Sequence, residues 1–427
     1  MNGLEETQGK VPRAEQTRQM LPMVAFFAGS AISYVGDMFT LLAIPWFVLQ
    51  TTGSVIQTGI TAFFSALPAV FSAFFGGAFV DRLGYKRTSV IGDIASGVAV
   101  LLIPLLYNSV GLAFWQLLAL VFLGGLLKSP GVTARRSMVP DLAALATMRL
   151  ERANAFLDGI NRVSGLIGAP LAAVLIAVIG TSNLLWFDAA SFAVSALLIG
   201  VVVPAISSEM KTGEHEQAYL VALWEGVRFI RRDALVLSLM VVVLITNMID
   251  GAFFSVVEPA YIKDVFHSVV PFGLLVAASG GAAFLGTLLF GAIGHRLPRR
   301  LTSGIGYIIG GALGFWVFLL QPGLPVLIAW QIIAGLAIAV VNPIFFTVMQ
   351  ERLPAEMRAR VFGTMGAGVL AGIPLGTFVI GYVVAWLGLQ ATLLVMGALY
   401  LLTTLTLLVN PALRGMGKQP QRTNLRE

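Results

Sequence analysis

Asp37 and Asp250 stand alone as acids in the middle of long apolar runs, 213 residues apart. An ionisable group at the centre of hydrocarbon costs roughly 3 kcal/mol, so it turns toward the interior of a bundle and marks a pathway. Kept from bulk water, such a carboxyl can take up a proton from one side and release it to the other. Asp37 is the first candidate for proton coupling or for contact with a cationic ligand, and Asp250 is its counterpart. A hydrogen-bonded structural acid is the competing account of each, and Thr246 and Asn247 are near enough in sequence to bind Asp250. Glu258, beside Pro259 at the outer end of its helix and within reach of water, is a third candidate. Asp188, in LWFDAASF, reads as structural and close to a helix end. Asp93 reads as a member of a charge network with Arg82 and with arginines further along. Arg162 follows Asp158 by one helical turn, which predicts an ion pair; a place at a cavity mouth is the alternative.

The elements that position these residues are membrane spans. Of 427 residues 57% are apolar and 11% charged, and the mean hydropathy is +0.88, values that exclude an ordinary soluble domain. With no cysteine and three scattered histidines there is no thiolate site and no zinc-like spacing, so neither a metal nor a cofactor is expected. The net charge of +6 is divided among short loops rather than gathered in a patch, which argues against nucleic acid. Crossing about 30 Å of hydrocarbon takes about 20 apolar residues. Runs of that kind predict twelve spans, the first over 21–49, the fourth over 112–134 and the sixth over 183–205.

Basic residues orient them, because short cytoplasmic loops are rich in lysine and arginine. Lys10, Arg13 and Arg18 precede span 1, while Lys128, Arg135, Arg136, Arg149 and Arg152 lie at or after the end of span 4. The opposite loops carry none except Lys263, so both termini are expected in the cytoplasm. GAFVDRLGYKR at 77–87 recurs as GAIGHRLPRR at 291–300, and Pro45, Pro130 and Pro140 recur as Pro259, Pro343 and Pro354. This repeat predicts an internal duplication: a cytoplasmic tail over 1–20, a six-helix bundle over 21–205, a cytoplasmic linker with an amphipathic helix over 206–233, a second six-helix bundle over 234–410 and a tail over 411–427. Parallel halves of this kind hold a substrate cavity between them near the midplane. The fold class is an all-α integral membrane protein of two pseudo-symmetric bundles.

The loop GGAFVDRLGYKR, in a chain of this layout, resembles the signature of the major facilitator superfamily, with Gly77, Asp81, Arg82, Gly84 and Lys86 at the matching positions. SYVGDMFTLLAIPWFVLQTTGS and SPGVTARRSMVPDL are similar to the branch holding macrolide-efflux and siderophore-export proteins. The resemblance implies that this loop, with Asp93, latches the two halves in the outward-open state. The second copy, where His295 and Pro298 replace acid and glycine, is expected to latch weakly. Antiporters of the superfamily often carry an arginine on span 4 that controls proton exchange. Arg135 and Arg136 are candidates for that role, with Arg162 beside them, and topology is the competing account. Gly165, Gly168 and Pro170 in span 5 resemble part of the superfamily's antiporter motif.

A cavity lined by Tyr34, Trp46, Phe253, Phe254 and Phe345, with Asn161, Gln331 and Asn342 as polar contacts, would suit a bulky lipophilic molecule. The expected function is proton-coupled export of amphipathic or lipophilic small molecules such as drugs, by alternating access, in the inner membrane. A dedicated exporter of a natural product such as a siderophore, or a lipid transporter, is the alternative. No catalytic cluster or nucleotide loop is present, so the protein is not expected to be an enzyme or to use ATP. Membrane lipids and the small-molecule substrate are the expected partners, and the protein is expected to be a monomer.

Overall fold

The computed structural model describes residues 13–205 and 215–417; inside helices the side chains of 13–18, 73–79, 81, 215–223, 355–356 and 359 lie outside that description. The amino-terminal half contains α1 (Arg13–Thr52), α2 (Val55–Leu83), α3 (Tyr85–Ser109), α4 (Phe114–Leu145), α5 (Leu150–Ile179) and α6 (Thr181–Val202). A linking helix, α7 (His215–Arg232), leads into the other half. There α8 (Ala234–Ala252) passes through a π-turn into α9 (Glu258–Phe266), followed by α10 (Val270–Ile293). Next come α11 (Arg299–Tyr307), a second π-turn and α12 (Leu313–Leu319), then α13 (Leu324–Ile338), α14 (Val341–Arg352) and α15 (Ala355–Val409). Among the described residues there is no strand.

Among the described residues, eleven helical segments are long and apolar enough to cross a membrane. The last of them, within the 55-residue α15, is broken at Gly388, whose φ of 78° and ψ of 166° no helix contains, so it supplies two spans and the number is the twelve expected. Gly180 makes the equivalent turn between α5 and α6 with φ 85° and ψ 159°. Only glycine enters this backbone region without strain, so one residue suffices to reverse the chain in both halves.

Several boundaries differ from the sequence reading, two of them by eight residues or more in the first half, and one matters for the site. The helix of span 1 starts at Arg13 rather than near residue 21, and α4 continues to Leu145 rather than stopping near 134. Pro130 and Pro140 are both accommodated inside α4. A polar stretch alone did not end the helix, because Arg135 finds partners inside the bundle while Arg136 stays exposed.

Within the first half α3 packs on α4 and α6, and α1 on α5 and α6; within the second, α10 packs on α13 and α8 on α15. The halves meet through two symmetry-related pairs, α2 with α15 and α5 with α10. A Cβ on Gly59 would lie 2.7 Å from the Thr377 carbonyl oxygen, and one on Gly273 would lie 2.7 Å from that of Ala169. Both approaches fall toward the end of the molecule remote from the termini. There the Lys263 ammonium also crosses from α9 to the Leu49 carbonyl near the end of α1. Among the described residues no ion pair joins the two halves.

The linking helix is docked, not free. Glu225 pairs with Arg360 at the start of α15, a Cβ on Gly226 would strike Thr364, and Ile230 is buried. Trp224 points away, 67% exposed.

Candidate functional site

Lys128 lies fourteen residues into α4, about 21 Å along its axis at 1.5 Å per residue. It is therefore not a loop residue at the end of span 4, as its charge had suggested, but a cation deep in the bundle. Its Nζ donates to Asp37 Oδ1 at 2.5 Å and lies 5.3 Å from the centre of the Phe192 ring, so a carboxylate and an aromatic face share it. Asp188 stands behind this pair, fully buried, accepting hydrogen bonds from Thr40 and, at 3.2 Å, from Ser191. Gly36 makes the arrangement possible: a Cβ there would come within 2.4 Å of Asp188 Oδ1 and 2.0 Å of Ser191 Oγ.

A second layer lies two helical turns further along. Arg135 follows Lys128 by seven residues on α4, and Ser195 follows Asp188 by seven on α6, so each pair shares a helix face about 10 Å apart. Arg135 pairs with Asp93 of α3 and donates to Ser89 at 3.0 Å and Ser195 at 2.9 Å; Ser195 donates to Asp93 at 2.8 Å. All four side chains are buried. Arg135 Nε and Nη2 and Asp93 Oδ2 are met by opposite charge or by hydroxyls, which is how such a group persists away from water.

The upper layer opens on a cavity of about 410 Å³ between α1, α2, α3 and α4. Asp37, Lys128, Thr40, Phe192 and the apolar Leu41, Ile44 and Val121 line it, and Ser255 is the residue contributed from the other half.

In the second half Asp250 is solvent-accessible and accepts a hydrogen bond from the Tyr400 hydroxyl at 3.3 Å, not from Thr246 or Asn247, whose polar groups bond to carbonyls of their own helix. Glu258 is buried rather than wet at a helix end, 3% exposed, and its Oε1 has no hydrogen-bond partner. It follows directly on the π-turn Phe253–Val257. Such turns recur at functional positions because the widened helix displaces the ladder of backbone bonds.

The other expected residues are scattered. None of Tyr34, Trp46, Asn161, Phe253, Phe254, Gln331, Asn342 and Phe345 lines the cavity. Phe253 packs edge-on against Phe315 and Phe318, and Phe254 against Phe272, so these rings fill the second half. Trp46 sits at the remote end with Gln50, Lys263 and His267. Arg162 and Asp158 are both exposed and do not pair, and Arg136, next to the buried Arg135, is exposed. A Cβ on Gly168 would lie 2.9 Å from the Met38 side chain, which fixes α5 on α1; Gly165 has open space around it, and Pro170 lies against Gly273 of α10.

Of the signature loop, Gly77 and the Asp81 side chain lie outside the described residues. Gly84 alone joins α2 to α3, with φ 78°; Arg82 is exposed and Lys86 half-buried. Asp93 bonds to Arg135, one of the arginines expected as its partners after span 4, and not to Arg82. In the second copy Arg299 holds Glu351 through two bonds, 2.5 and 2.9 Å, and Arg300 caps the end of α15 through the Leu407 and Leu408 carbonyls. Its arginines therefore serve their own half.

Sequence reasoning missed Lys128, Thr40, Asp188 as a member of the site, Ser195 and Tyr400. The signal available was the seven-residue spacing of Lys128 and Arg135, which puts two cations on one helix face opposite two buried acids.

Fold and site together define an all-α membrane protein of twelve spans in two bundles, with stacked ion pairs inside one of them. The chain belongs to the Major Facilitator Superfamily, whose family model matches residues 26–258 and 239–424. It is 30% identical over 403 residues to the multidrug efflux pump Tap of Mycobacterium bovis, covering 94% of this chain and 96% of that one. Macrolide efflux protein A of Streptococcus pyogenes is 21% identical over 365 residues, covering 83% and 87% of the two chains. Among solved structures, the nucleoside transporter NupG superposes with a TM-score of 0.73 at 15% identity over 91% of this chain and 98% of that chain, a likeness of fold.

Proposed function

We propose that the protein exports lipophilic and amphipathic small molecules across the bacterial inner membrane, driven by protons moving inward, with both termini in the cytoplasm and a single chain as the working unit. The observation that carries this reading is the Asp37–Lys128 pair on the wall of an otherwise largely apolar cavity. The efflux names of its relatives, matched over nearly the whole chain, support the direction of transport.

With the termini cytoplasmic, the closure at the remote end makes this the cytoplasm-facing state. An ionised Asp37 holds Lys128. A proton taken up from the far side would neutralise Asp37 and leave the ammonium to Asp188, which is within electrostatic reach. Deprotonation toward the cytoplasm would restore the carboxylate as substrate enters, so proton and cargo alternate at one group. Asp250 and Glu258, carboxyls without a basic partner, are the candidate proton sites of the second half.

The test is uptake of a cationic dye into inside-out vesicles or proteoliposomes under an imposed pH gradient. We expect accumulation that collapses with the gradient and is absent in Asp37→Asn. Accumulation indifferent to the gradient would remove proton coupling from this account.

A further inference from the structure

We infer that the cavity selects cargo by its hydrogen-bond donors: it accepts lipophilic molecules bearing N–H groups, primary ammonium above all, over cations of the same shape that have none. The inference rests on the proposed export reading and concerns the same site.

Its basis is where the cavity's hydroxyl protons go. Thr58, Thr61 and Ser65 occupy one face of α2 at spacings of three and four, and all three line the cavity. Thr58 donates to the Ser54 carbonyl at 3.0 Å, Thr61 to that of Gln57 at 2.8 Å, and Ser65 to that of Thr61 at 2.9 Å. Across the cavity Ser129 donates to the Gly125 carbonyl and Ser96 to that of Gly124, both at 3.1 Å, while Thr40 donates to Asp188. A carbonyl oxygen cannot donate, so each hydroxyl has spent its one proton and retains only lone pairs. Beside them stands the Asp37 carboxylate, with acceptor capacity beyond the bond from Lys128. The donors among the lining groups are the Lys128 ammonium, one of whose three N–H groups is given to Asp37, and the hydroxyl of Ser255, contributed from the other half. The wall otherwise presents acceptors set in apolar surface.

A primary ammonium brings three donors to such a wall. A trimethylammonium brings the same charge and none, and would leave the acceptors desolvated and unpaired. Charge alone does not separate the two; the hydroxyls do.

Binding of pyrenebutylamine and of pyrenebutyl-trimethylammonium to the full-length protein in nanodiscs, followed by fluorescence, tests this. Ser65 is exposed and Ser129 half-buried, and each bonds only within its own helix, so the Ser65→Ala/Ser129→Ala variant retains the fold. We expect the amine to bind about tenfold more tightly than the trimethyl compound, and the double variant to lose most of that margin through the amine alone. Equal affinities in the parent protein, or an equal loss of both in the variant, would overturn donor selection and leave export standing. If neither probe binds and neither is expelled by cells making the protein, the export reading falls and this inference falls with it.

Discussion

Arg135 illustrates what a buried charge demands. It is 2% exposed, and the carboxylate of Asp93 and the hydroxyls of Ser89 and Ser195 satisfy it. Removing one member of such a set leaves the other charged and unpaired, which costs about 3–5 kcal/mol, more than the pair itself contributes. Arg135→Met is therefore expected to lower the unfolding temperature strongly, and Asp93→Asn combined with Arg135→Gln to recover part of the loss. Scanning calorimetry of the purified variants would show it; additive single effects would mean the two residues do not act as a pair. Lys128 differs because it is partly accessible from the cavity. Lys128→Met leaves Asp37 as an uncompensated carboxylate facing that space. We expect this variant to bind cationic dyes more tightly, by about tenfold, while gradient-driven transport is lost and Lys128→Arg retains a measurable part of it. Unchanged dye affinity in Lys128→Met would separate the ion pair from cargo binding.

At the level of elements, the site depends on how closely α1 and α6 approach. Gly36 lets Thr40 of α1 reach Asp188 of α6, and a side chain at 36 would have to push Asp188 or Ser191 aside. Gly36→Val should cost about 1–3 kcal/mol and displace Asp188 from the cavity pair. The informative comparison is Gly165→Val on α5, where there is open space and no loss is expected. The single-residue turns are a second requirement. Gly388→Ala places a Cβ in a backbone region essentially confined to glycine, at about 1–3 kcal/mol, and would be read as lower expression and thermal stability with cavity binding intact.

For the whole molecule, the question is what holds the remote end shut. Interlocked glycine approaches of α2 with α15 and α5 with α10 do most of it, and the Lys263 ammonium adds a bond to the carbonyl end of α1, where the helix dipole favours a cation. This lysine is the exception to the sidedness of the basic residues, and the closed end explains its presence there. Lys263→Met should shift the population toward opening at that end. The chain has no native cysteine, so Gln50→Cys provides a unique label beside it. Its reaction with a membrane-impermeant maleimide is expected to speed up several-fold when Lys263→Met is added, and an unchanged rate would assign the closure to helix packing alone.

Length, apolar runs and the recurring loop and prolines determined by themselves that this is a twelve-span chain of two related halves, because a helix of about 20 apolar residues is dictated by bilayer thickness whatever its neighbours are. The signature loop and the isolated acids Asp37 and Asp93 were legible for the same reason: polar groups are rare enough in such segments to stand out. For Asp93 the arginines after span 4 were legible as partners, but that Arg135 is the one, and that Asp37 takes Lys128, was decided only in three dimensions. Lys128 looked like one more basic residue marking the end of span 4 until Asp37 of α1 proved to face it, and Asp188 looked peripheral until α6 brought it behind Asp37. The aromatic residues expected around the cavity turned to packing instead, since periodicity places a ring on a helix face without saying which neighbour that face meets. Pairing of charges across helices depends on crossing angles and on glycines such as Gly36 that set the distance between axes, and those are properties of the packed bundle rather than of any one segment.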